Sequence, residues 1–67
     1  MKHRLKEFRS HNKYTQKYLS ECTGISRQTI SLIERNKLTP SISIAINLSK
    51  FFNEKVENVF IIETQDL

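Results

Sequence analysis

Apolar residues recur along this chain every three or four positions, a spacing that predicts helices rather than strands. Leu5 and Phe8 mark a first helix over about Lys2 to Ser10, and Leu19 a second over about Gln16 to Thr23. Ile30 and Ile33 mark a third over about Arg27 to Arg35. Ile42, Ala45, Leu48, Ser49 and Phe52 repeat with helical period and are expected to face the core from a fourth, and Val56, Val59 and Phe60 mark a short fifth. Thr15, Ser26 and Ser41 stand where a hydroxyl can cap the next helix. Gly24 and Asn36 stand where left-handed backbone ends one, and Asn53 closes the fourth. Pro40 keeps the residue before it out of helical geometry, so Leu38-Thr39-Pro40 is a loop. The expected fold is therefore all-α, five helices with a short extended apolar tail at Ile61-Ile62.

Sixty-seven residues make one domain, 1–67, close to the smallest size that folds without disulfide or metal. With 37% apolar residues there is material for one small core, and one Gly and one Pro are too few turn formers for a many-stranded sheet. The single Cys22 has no intramolecular disulfide partner and reads as a small surface or core residue. His3 and His11 are not at metal-ligand spacing with it, so no metal is expected. No paired-carboxylate or Ser/His/Asp constellation points to an enzyme, and neither a cofactor nor a small-molecule ligand is implied. No signal peptide and no apolar run of membrane-spanning length is visible, which places the protein in the cytoplasm and away from membranes.

Residues 16–35 carry the chemistry. They read as two short helices joined by a turn of about three residues, a helix-turn-helix. Leu19, Ile25, Ile30 and Ile33 can meet across the turn, which leaves Arg27, Gln28, Ser31, Leu32 and Arg35 outward on the second helix. Arg can donate a fork of hydrogen bonds to guanine, and Gln can pair with adenine along the major-groove edge. Charge is distributed to match. Residues 1–40 hold nine Lys or Arg against three Glu, a balance of +6, whereas residues 41–67 hold two Lys against four acids, a balance of −2. One end of the molecule suits a polyanion and the other does not.

Five short pieces occur in order along the chain: Leu-Lys-Glu-Phe-Arg at 5–9, Tyr-Thr-Gln at 14–16, Gly-Ile-Ser-Arg-Gln-Thr-Ile-Ser at 24–31, Ile-Glu-Arg-Asn-Lys at 33–37 and Pro-Ser at 40–41. On these pieces the chain resembles the phage repressor/Cro-like, XRE-type helix-turn-helix family over roughly Leu5 to Phe60. Its size and short tail are similar to those of the minimal repressors without a ligand domain, such as the cytolysin-operon repressor. The resemblance implies a lambda-repressor-like DNA-binding domain, bacterial or phage-encoded and acting at the nucleoid. Arg27 and Gln28 are then the best base readers and Ser31 the next, while Leu32 is either a contact for a thymine methyl or a surface leucine. Gln16 is similar to a family glutamine that bonds a phosphate and braces the first residue of the reading helix. Thr29 and Lys37 are expected phosphate anchors. Arg9 is assigned either to a salt bridge with Glu34 or to phosphate. The chain departs from the family pattern at Lys13, where glycine is common; at Tyr14 and Thr23, where aliphatic residues are usual; and at Lys55, which replaces a cap. Tyr14 is expected to fill the gap between the first two helices, and Thr23 to loosen the turn packing.

A monomer of this size contacts few bases, so a homodimer on an inverted-repeat double-stranded DNA operator is expected. Phe51, Val59, Phe60, Ile61 and Ile62, within a dimerisation region of about 51–62, are the candidate interface. The alternative is that Phe60 and Ile61 finish the monomer core, with the tail pairing as a strand against Met1 to Arg4. Nothing in the chain is left over to recruit polymerase, so repression is the expected sign of regulation. The competing function is a DNA-binding antitoxin or accessory subunit, with Ile61-Ile62 holding a different protein.

Overall fold

The computed structural model describes residues 2–61. Its elements run β1 (Lys2–His3), α1 (Leu5–His11), α2 (Gln16–Thr23), α3 (Arg27–Glu34), α4 (Ile42–Phe51), α5 (Val56–Val59) and β2 (Phe60–Ile61). Three of the helix starts follow from capping hydroxyls. Thr15, Ser26 and Ser41 accept the backbone N–H of Tyr18, Thr29 and Ile44 respectively, each in extended backbone one residue ahead of its helix. Lys55 supplies no such bond, and α5 is a single turn.

Three helices end in the same way. After α1, α3 and α4 a residue turns left-handed, Lys13 at φ 60°, Asn36 at φ 59° and Asn53 at φ 55°. In each case its N–H and that of the next residue return to the last turn: Lys13 to Ser10 and Tyr14 to Arg9, Asn36 to Ile33 and Lys37 to Leu32, Asn53 to Lys50 and Glu54 to Ser49. This pair of bonds satisfies carbonyls that a helix end would leave open. Asn tolerates the conformation, and Gly24, at φ 75°, takes it without strain at the end of α2. Lys13 is the residue that bears a steric penalty for it.

Every helix sends at least one side chain into a single core of Leu5, Leu19, Ile25, Ile30, Ile33, Ala45, Leu48, Val59 and Phe60. Beside it lies a half-buried aromatic group. The Tyr14 ring stands 4.9 Å from that of Tyr18 and 5.6 Å from that of Phe51, and Phe8 stands 5.8 Å from Phe52. Tyr14, in the link between α1 and α2, ties α2 to the end of α4.

Three expectations change. The first helix begins at Leu5, not Lys2, because residues 2–3 pair antiparallel with residues 60–61 (Lys2 opposite Ile61, His3 opposite Phe60) and Arg4 N–H donates to Val59 C=O at 2.8 Å. Val59 and Phe60 are 0% and 2% exposed, so they fill the monomer's own core and leave no surface for a second copy. Of that candidate interface Phe51 is half-buried against Tyr14 and Phe52, Ile61 is exposed, and Ile62 lies outside the described residues. Ile42, expected inward, is 71% exposed. It occupies the first turn of α4 at the rim of the Ala45, Leu48 and Ser49 stripe, where the core ends.

Candidate nucleic-acid interface

The helix pair at residues 16–34 is held from both ends. At the turn, Gly24 caps α2 through its N–H to Ser20 C=O, and Ile25 is buried beneath the connection. Thr23, where a bulky aliphatic residue was expected to be missed, stitches the turn with its hydroxyl: it donates to Leu19 C=O at 2.7 Å and accepts from Ile25 N–H at 3.3 Å. Asn47 of α4 adds a bond from its amide to Thr23 C=O at 2.9 Å, fixing the end of α2 against α4. Only an asparagine in mid-helix hinted at this clamp.

At the other end Arg9 Nε and Nη2 donate to the two carboxylate oxygens of Glu34 at 2.7 and 3.0 Å, while Arg9 Nη1 donates to Tyr14 C=O at 2.8 Å. All three guanidinium nitrogens of Arg9 are thus engaged inside the protein. Of the two roles considered for Arg9, the bridge is realised, and each of its two terminal nitrogens keeps a second N–H. Gln16 joins the same cluster, its amide donating to Glu34 Oε1 at 3.0 Å. That bond runs to the far end of α3, and the Gln16 amide keeps a second N–H and its carbonyl oxygen. Burial alone would raise the Glu34 pKa, but the hydrogen bonds from Arg9 and Gln16, with the charges of Arg9 and Lys6, outweigh it and hold the carboxyl below its ordinary range. The hydrogen bond to Glu34 raises Arg9 in turn.

Between these anchors α3 buries Ile30 and Ile33 and leaves Arg27 and Gln28 exposed in its first turn. Ser31 and Leu32 are half-buried. Leu32 is thus partly packed, which makes it less anomalous than a bare surface leucine. Ser26 donates its hydroxyl to Thr29 Oγ1 at 2.8 Å and accepts Thr29 N–H at 3.1 Å, which leaves the Thr29 hydroxyl hydrogen to donate elsewhere. Lys37 is exposed, with its backbone pinned to Leu32 C=O at 2.8 Å. The arrangement is a helix that presents a forked donor and an amide in its first turn and a cation just past its other end.

The helix-turn-helix family matches residues 5–58, which spans α1 through most of α5. The chain belongs to the XRE-type helix-turn-helix family. This XRE-type chain is 42% identical over 66 residues to an uncharacterised HTH-type transcriptional regulator of Methanocaldococcus jannaschii, covering 98% of this chain and all of the relative. It is 38% identical over 66 residues to the uncharacterised HTH-type transcriptional regulator YgzD of Bacillus subtilis, again 98% and 100% of the two chains. A third relative, an uncharacterised HTH-type transcriptional regulator from Archaeoglobus fulgidus, is 37% identical over 67 residues, all of this chain and 94% of its own. The relatives are archaeal as well as bacterial. Among the described residues no helix is long and apolar enough to cross a membrane.

Proposed function

We propose that the protein is a DNA-binding transcriptional regulator that occupies an inverted-repeat operator as a homodimer and represses by excluding polymerase. The observation that carries this reading is the first turn of α3, where Arg27 and Gln28 are both exposed while Ile30 and Ile33 behind them are fully buried. Arg27 has the donors to read guanine and Gln28 the donor and acceptor to read adenine, with Ser31 one turn further on and Leu32 available to a thymine methyl. Thr29, Lys37 and the free end of Gln16 hold phosphates and set the register without reading sequence. The excess of positive charge in residues 1–40 lies on the segment that includes this helix.

The test is selection of DNA from a random pool by the purified chain, followed by binding to the selected duplex across a salt series. The expected product is a repeat with two-fold symmetry and half-site centres about 10 base pairs apart, bound far more weakly at about 200 mM than at about 50 mM salt. A pool that yields no enriched sequence contradicts the reading.

A further inference from the structure

Twelve consecutive residues, Leu38 to Ser49, carry no charge in a chain of which 27% is charged. They also hold three of the large apolar side chains exposed among the described residues: Leu38 at 41%, Ile42 at 71% and Ile46 at 38%. Ile42 and Ile46 are four positions apart, so they stack on one face of α4, and Leu38 lies in the loop that leads into that helix. Thr39, Ser43 and Asn47 around them are neutral and exposed. An apolar centre with a neutral polar rim is the composition of a protein contact, where charged residues are depleted.

We propose that this face binds a second copy of the chain. The inference rests on the DNA-binding reading above and names the surface through which the dimer forms. Nucleic acid is a poor occupant because the face offers no cation. A strongly acidic or basic protein is a poor one too, because it would find no opposite charge. A second copy fits for a physical reason: in a two-fold interface the same patch meets itself, and a patch that carries no charge brings no like charges together between two chains of net charge +4. The tail is less suited, since every acid of residues 41–67 lies at or beyond Glu54 and Ile61 is its lone exposed apolar side chain among the described residues. The face starts four residues after α3 ends, so it lies close along the chain to the reading helix.

Sedimentation equilibrium of the full chain tests this, with the wild type, the double variant Ile42→Ser/Ile46→Ser, the variant Ile42→Lys and the variant Ile61→Ser. Both α4 variants should raise the dimer dissociation constant at least about a hundredfold, with helical circular dichroism unchanged because the replaced side chains are exposed. Ile61→Ser should stay within threefold of wild type. Affinity for a duplex carrying one selected half-site should not change, while the advantage of the full inverted repeat is lost. An α4 double variant that dimerises like the wild type, or a wild type that is monomeric throughout, overturns the proposed face. Loss of half-site binding in the wild type itself is a separate result and strikes the DNA-binding reading instead.

Discussion

Arg9 grips Glu34 through both carboxylate oxygens, at 2.7 and 3.0 Å, and so ties α1 to the end of the helix that carries Arg27 and Gln28. The Glu34 side chain is 3% exposed and that of Arg9 15%. Removing one member leaves the other desolvated and unpaired. Arg9→Ala should destabilise the domain by about 3–5 kcal/mol, read as a lower urea midpoint at unchanged slope. A loss below about 1 kcal/mol would mean that the pair acts as a surface bridge.

The same pair sets an acid limit on stability. The Glu34 carboxyl is held below its ordinary value of 4.5, so folding gains from its ionisation in full above pH 4.5 and loses that gain as pH falls through the lower native value. Glu34→Gln removes the titration. Wild type should therefore exceed Glu34→Gln in melting temperature most at neutral pH, and the gap should close as pH drops below 4.5. A gap that stays constant from pH 7 to pH 3 contradicts the assignment.

Lys13 holds a left-handed φ of 60° where Asn36 and Asn53 serve in the two equivalent helix ends. Its side chain is exposed, and only its backbone N–H, to Ser10 C=O, is used in the end motif. Lys13→Gly should raise stability by about 0.5–1 kcal/mol in a denaturation series, the relief of the backbone penalty exceeding the added freedom of the unfolded chain.

Lys37 follows the left-handed Asn36 and presents its ammonium just past the end of α3. Lys37→Ala should weaken selected and unrelated duplexes about equally and lower the slope of log K against log salt by about 1. An unchanged slope removes Lys37 from the phosphate contacts.

What the sequence made legible is local. α2 runs Gln16–Thr23 and α3 begins at Arg27, as the capping residues Thr15 and Ser26 and the turn residue Gly24 imply, because those signals act within a few residues of the chain. The Arg9–Glu34 bridge came from family resemblance, not from spacing. What stayed hidden depends on distant partners. The pairing of residues 2–3 with residues 60–61 entered only as the alternative to a dimerising tail, because no local pattern reports a partner so distant along the chain. Ile42 obeys the helical period yet lies beyond the core, since periodicity gives a direction and not the extent of the surface it meets. Gln16 turns to Glu34 because Arg9 has already brought that carboxylate within 3.0 Å of its amide.

Base reading by the first turn of α3 is the centre of the account. Its direct measurement is selection of DNA from a random pool by wild type, Gln28→Ala and Arg27→Ala, each followed by affinity for the wild-type operator and for unrelated duplex. Gln28→Ala should lose about 1–3 kcal/mol on the operator and hardly any on unrelated DNA, and its selected sequence should relax at one base pair per half-site. Arg27→Ala should relax a neighbouring position. Melting temperatures should stay near wild type, because both side chains are exposed. If both variants select the same sequence as the wild type with undiminished preference, α3 is not the reading element and the account is contradicted.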